Sequence, residues 1–204
     1  MKRKLSQQYF RFFLLGVFIV HAVNHLFSQS LHRQSQPQSR ELASASASQD
    51  FDFLIGNWVV KHRKLKHRLA NRDDWETFSG TCAMKTLLDG SANVDDNLLE
   101  TPEGAYRAAS LRAFDSATRK WSIWWLDSRH PSHLDVPVLG EFRNGVGTFF
   151  ADDTWDGQPI RVRFIWFDIT PNSARWQQAF SVDNGRTWET NWIMEFKRVP
   201  PPRP

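Results

Sequence analysis

The chain has 204 residues, with 26 Lys and Arg against 22 Asp and Glu, a length that suits one domain with a tail. The charge excess lies in residues 1–50, where Lys2, Arg3, Lys4, Arg11, Arg33 and Arg40 outnumber Glu41 and Asp50; the balanced remainder offers no basic footprint for nucleic acid. A lone cysteine, Cys82, excludes an intramolecular disulfide and an all-Cys zinc site, while 10 Trp and 16 Phe suffice for an aromatic core.

The chain starts with a basic segment followed by the nine-residue apolar run Phe12–Val20. A bilayer-spanning helix needs about 20 apolar residues, so this run fits the apolar region of a secretory signal peptide. The small residues of Ser28-Gln29-Ser30 suit a cut after Ser30, which places residues 1–30 as a signal peptide and the mature protein in the periplasm or outside the cell. An uncleaved anchor tethering the domain to the membrane is the alternative. Residues 31–50 are rich in Ser and Gln and lack apolar periodicity, as in a disordered linker. Residues 51–199 form the domain and 200–204 a Pro-rich tail.

From Phe51 the texture is β. Aromatic and β-branched runs predict strands over 57–69, 74–88, 91–99, 105–114, 120–129, 138–143, 146–153, 159–170, 173–183 and 188–198. Asp89-Gly90, Asn144-Gly145, Asp156-Gly157 and Asn184-Gly185 tolerate positive φ and mark tight hairpins. One short helical turn is expected at Phe51–Ile55. Hairpin after hairpin, with no sign of long crossovers, predicts an all-β, antiparallel up-and-down barrel of about 8–10 strands; a two-sheet sandwich is the competitor.

Turn positions set the register of the last strands. If Pro171-Asn172 and Asn184-Gly185 are two-residue loops, Trp166 faces Gln177 and Gln177 faces Trp192. One face then reads Val162, Phe164, Trp166, Gln177, Trp192 and Met194, mostly apolar, and is expected inside. The other face carries Arg161, Arg163, Gln178 and Asn191, with Trp176 among them, and is expected outside. In the middle of the chain, Phe114 opposite Trp121 places Ser110 opposite Trp125 and Arg112 opposite Ile123. Tyr106, Arg112, Trp125 and Asp127 then share a half-polar face, either in the lumen or outside.

Few other residues carry chemistry. His130, His133 and Asp135 have metal-like content, but Pro131 argues for a loop over the barrel mouth, and no metal site is assigned. His62 and His67 sit in the basic stretch Lys61–Arg68 and read as surface residues. Asp95 and Asp96, as strand neighbours, point apart and form no dyad. Cys82 reads as a small buried residue. No Gly-x-Ser-x-Gly elbow, phosphate loop or dinucleotide fingerprint occurs.

Gly56-Asn57-Trp58 opens the first strand, and the last ends in Phe196-Lys197-Arg198. This resembles the lipocalin and calycin arrangement, in which a Gly-x-Trp closes the barrel floor under a basic residue from the last strand. Asp52–Trp58 (DFLIGNW), Leu111–Asp115 (LRAFD) with Trp121, Trp124–Asp127 (WWLD) and Ser181–Trp188 (SVDNGRTW) together resemble a bacterial lipocalin-like family of unknown function. The resemblance implies a calycin-type barrel and brings no reaction or ligand. Haem barrels similar to nitrobindin need a late axial histidine, and no His follows His133, so no cofactor is implied.

The sequence therefore suggests an exported barrel that binds a small amphipathic or aromatic molecule in its lumen. The expected contacts are Trp166, Gln177, Trp192, Phe164, Tyr106, Arg112, Trp125 and Asp127. The alternative is an enzyme using the same lumen, an isomerase, cyclase or hydrolase working through Asp127, Arg112 and Tyr106.

Overall fold

A computed structural model describes residues 47–200; the expected signal peptide, most of the expected linker and the last four residues lie outside the described part. Ten antiparallel strands form a closed barrel: β1 (Gly56–Leu65), β2 (Trp75–Leu87), β3 (Ala92–Thr101), β4 (Gly104–Asp115), β5 (Lys120–Asp127), β6 (Val138–Arg143), β7 (Val146–Trp155), β8 (Gln158–Phe167), β9 (Ser173–Ser181) and β10 (Glu189–Arg198). Each strand pairs with the next, and β10 returns to β1, so the sheet has no free edge. No helix among the described residues is long and apolar enough to cross a membrane.

Turn chemistry fixes the sharpest hairpins. Asn144-Gly145 and Asp156-Gly157 have positive φ at both positions, and the flanking pairs Arg143↔Val146 and Trp155↔Gln158 make them two-residue loops. Gly80 on β2 keeps the wall thin, since a Cβ there would come within 2.4 Å of the Leu98 carbonyl and 2.9 Å of the His62 ring.

The floor is solid. A single 3₁₀ turn at Asp52–Leu54 tucks Phe51 and Leu54 under the barrel. The Phe51 ring meets Trp121, Phe142, Phe149 and Trp166 at centroid distances of 4.9–6.1 Å. Residues 47–50, expected in the linker, form the turn that leads in, and the Trp121 indole donates to the Ala47 carbonyl at 3.0 Å. Trp58, 1% exposed, donates through Nε1 to the Leu54 carbonyl at 2.7 Å. The Arg198 guanidinium lies 4.1 Å over the Trp58 ring and donates to the carbonyls of Phe53, Ile55 and Pro171.

At the other end the β5–β6 pairing is short. Strand β6 has six residues and pairs with β5 only at Trp121, Ser122 and Ile123. The upper half of β5 is flanked instead by the loop between β5 and β6, through a Leu126↔Leu134 bridge and a bond from the Asp135 amide to the Trp125 carbonyl.

Two bulges change the expected register of the last strands. Thr170 does bond Ser173 across the turn, but Asp168 adopts φ 52° and adds a residue before pairing resumes at Phe167↔Arg175. Trp166 therefore faces Trp176, and Phe164 faces Gln178. A second irregularity falls between Thr190 and Trp192, so Trp192 pairs with Gln178. Trp176, Gln178 and Asn191, expected outside, are buried, and Gln177 turns to the outer face between Ile165 and Ile193. Asn184-Gly185 is no two-residue hairpin either. It belongs to a longer loop after Ser181, gathered by the Asp183 carboxylate, which accepts from the Arg186 and Thr187 amides and the Thr187 hydroxyl.

Candidate functional site

Above the aromatic floor the barrel encloses a cavity of about 1150 Å³. Of the eight residues expected to meet a ligand, Trp166, Trp192, Phe164, Tyr106, Arg112, Trp125 and Asp127 line it. Gln177 does not. The Asp168 bulge gives its place to Gln178, whose amide N–H donates to Asn191 Oδ1 at 2.8 Å.

The cavity wall holds a buried ion pair. Arg112 on β4 and Asp95 on β3 are 4% and 3% exposed and meet at 2.6 Å. Strand register puts Asn93 opposite Arg112 and Ser110 opposite Asp95, which closes a network. Arg112 also donates to Asn93 Oδ1 at 3.2 Å; Asp95 accepts from the Ser110 amide at 2.8 Å and from Asn97 Nδ2 at 2.5 Å. The guanidinium stands 5.2 Å from the Phe51 ring centroid and 5.9 Å from that of Trp166, and its Nε has no partner. Asp95 was missed as a functional partner in the sequence. The signal was present as Asn93, Asp95 and Asn97, a polar stripe at a spacing of two that points one way along β3.

The middle of the cavity is aromatic. Phe164 and Trp176 meet edge to face at 4.8 Å, Trp176 and Trp192 at 5.6 Å, and Trp125 and Trp192 at 5.9 Å. The Trp192 indole is held from behind, since its N–H donates to His62 Nδ1 at 3.2 Å. His62 is not a surface residue: it follows Trp58 and Val60 on the inward side of β1, is 2% exposed and stacks on Phe78 at 4.7 Å. Burial, with the Lys64 charge beside it, pushes its pKa down to about 4, so the ring is neutral and acts as an acceptor. His67 is exposed, as expected, and bonds Asp74.

Charged groups gather at the mouth. Arg129 grips Asp127 with bonds of 2.5 and 3.0 Å and lies 3.7 Å over the Tyr106 ring. Burial raises the Asp127 carboxyl, but the Arg129 side-chain and amide bonds outweigh it and hold it below the usual carboxylate range. Burial raises the Tyr106 phenol. Tyr106 and Asp127 thus meet through Arg129, while Arg112 bonds Asp95 and Asn93 deeper in the lumen, so the three residues of the enzymatic alternative form no single bonded group. Lys64 and Arg68 complete the mouth from β1 and the loop that follows it. His130, His133 and Asp135 are exposed on the loop beside it. No group of three or more His, Cys, Asp or Glu among the described residues is placed to hold a metal ion.

No protein-family model and no curated protein matches the chain. Similar solved structures exist at low sequence identity. The S-type phycobiliprotein lyase CPES from Guillardia theta superposes with a TM-score of 0.53 at 9% identity, over 74% of this chain and 92% of that one. The protein Rv2717c from M. tuberculosis gives a TM-score of 0.50 at 10% identity, over 76% and 98%. What this chain shares with them is the fold, a closed antiparallel barrel of calycin type.

Proposed function

We propose that the protein binds a small amphipathic or aromatic molecule in the barrel lumen. The observation that carries this is the cavity of about 1150 Å³ left above a fully packed floor. Ligand cavities are typically walled by apolar rings with a few placed polar groups, as this one is by Trp125, Trp176 and Trp192 with Arg112 and Gln178. The basic leader with its nine-residue apolar run supports export to the periplasm or beyond, which N-terminal sequencing of the mature protein checks. Native mass spectrometry of protein purified from its own host tests the binding reading. A co-purifying small molecule lost on denaturation is expected; a bare mass matching the chain alone, with no exogenous apolar dye bound, contradicts it.

A second reading has its own support. The lyase of Guillardia theta is built on the same fold, which favours chemistry on a lumen-bound molecule, with Asp127, Arg112 and Tyr106, all three lining the cavity, as the working groups. Turnover of the co-purified molecule, lost in Tyr106→Phe, would separate the two.

A further inference from the structure

The mouth of the cavity holds two cations that no carboxylate contacts directly. The Lys64 ammonium stands 4.7 Å from the Trp192 ring centroid, and the Arg68 guanidinium 4.7 Å from that of Trp155 and 5.4 Å from that of Phe180. Both side chains are half-buried and both line the cavity. Neither makes an ion pair within 4.0 Å or a side-chain hydrogen bond with any described residue. The carboxylates around them act only from a distance, Glu76 and Asp127 on Lys64 and Glu189 on Arg68. Asp127 is gripped by Arg129, Glu189 accepts the Leu69 amide through both oxygens, and Glu76, although opposite Lys64 in the β1–β2 register, makes no ion pair with it. Burial first, and then the Arg68 and Arg129 charges, push the Lys64 pKa down to about 8, against the opposing pull of Glu76 and Asp127.

Holding a cation partly out of water with no direct ion pair is costly, and here the Arg68 charge also acts on Lys64. We propose that Lys64 and Arg68 form the head-group site of the lumen, and that the molecule bound there is a ring-bearing organic monoanion, a carboxylate or sulfonate. This rests on the lumen-binding reading above and adds the class of ligand. With the acidic group between Lys64 and Arg68, the body of the molecule lies against Trp192 and Trp176, because the ammonium already sits on Trp192. One negative charge is the number that fits. Glu76 and Asp127 stand close enough to act on Lys64, so a polyphosphate would meet repulsion as well as attraction, and a cationic ligand would meet two like charges.

A matched pair of dyes tests this. 8-Anilinonaphthalene-1-sulfonate and N-phenyl-1-naphthylamine share their ring system and differ by the sulfonate. Both are titrated by fluorescence into the wild type and into Lys64→Met/Arg68→Gln. The sulfonate should weaken by about tenfold or more in the variant, as expected for lost charge-assisted contacts, while the neutral amine changes by less than about twofold. Retained amine binding also shows that the variant is folded. Equal changes for the two dyes, or an unchanged sulfonate, overturn the anion site and leave the lumen reading standing. Failure of the folded wild type to bind either dye overturns both. If the double variant does not fold, Lys64→Gln alone is the substitute, and a sulfonate affinity lowered about threefold with the amine unaffected is the supporting result.

Discussion

Arg112→Met removes the bond to Asp95 at 2.6 Å and that to Asn93 at 3.2 Å, and it leaves Asp95, 3% exposed, with only the Ser110 amide and the Asn97 side chain as donors. Methionine fills much of the same volume, so the loss is chiefly that of a counter-charge for a buried carboxylate. Breaking one side of such a pair costs about 3–5 kcal/mol. For a domain of this size, 1 kcal/mol moves the melting temperature by about 2–4 °C, so a fall of about 6–20 °C is expected in differential scanning calorimetry. Asp95→Leu/Arg112→Met removes both charges and should recover most of the loss, since an apolar replacement of a whole buried pair is near neutral or better. The two single substitutions and the double one form a cycle that isolates the coupling. A single Arg112→Met variant melting within about 1 kcal/mol of wild type would refute the reasoning and show that the cavity solvates Asp95 on its own.

Arg198→Ala should cost about 2–3 kcal/mol in urea unfolding, because it releases the carbonyls of Phe53, Ile55 and Pro171 and uncovers Trp58; an unchanged midpoint would remove the closure role assigned to it. His62 should make the fold acid-sensitive. Its pKa is about 4 when folded against 6.5 in the reference, so the unfolded chain binds more protons between these values. Stability from this group is complete above about pH 6.5 and is lost as pH falls toward 4, by at most about 1.4 kcal/mol per pH unit. Asp50 is raised to about 6 by burial and acts with the opposite sign in an overlapping window, so the measurement is the difference from His62→Gln, which keeps an acceptor for Trp192. Identical pH slopes for the two proteins would contradict a buried neutral imidazole.

The barrel was legible because its turns announce themselves. Asn144-Gly145 and Asp156-Gly157 take the positive φ values their residues favour, and the Phe114↔Trp121 register follows from the length of the Asp115–Thr118 turn. The floor was legible because the Gly-x-Trp and the terminal Arg198 fall at the two ends of the domain, which barrel closure brings together. The lumen face of β9 was not legible. Gln177 and Gln178 are adjacent amides, so composition cannot say which one points in, and a single bulge at Asp168 exchanges them. His62 was hidden by its neighbours: Lys61 and Arg63 make the stretch look solvated, yet strand alternation from Trp58 and Val60 turns the imidazole inward. The Arg112–Asp95 pair spans two strands, and its recognition needs the β3–β4 register, which neither strand states alone.

Filling the lumen tests the central claim most directly. Ala151 on β7 lines the cavity opposite Val162, and Ala151→Trp places an indole in that space without touching the floor or the Arg112 network. N-phenyl-1-naphthylamine titrated into wild type and variant should bind the variant about tenfold more weakly or worse, with the two proteins melting within a few degrees of each other. Equal affinity for the filled and the unfilled barrel would place the dye outside the lumen and contradict the account.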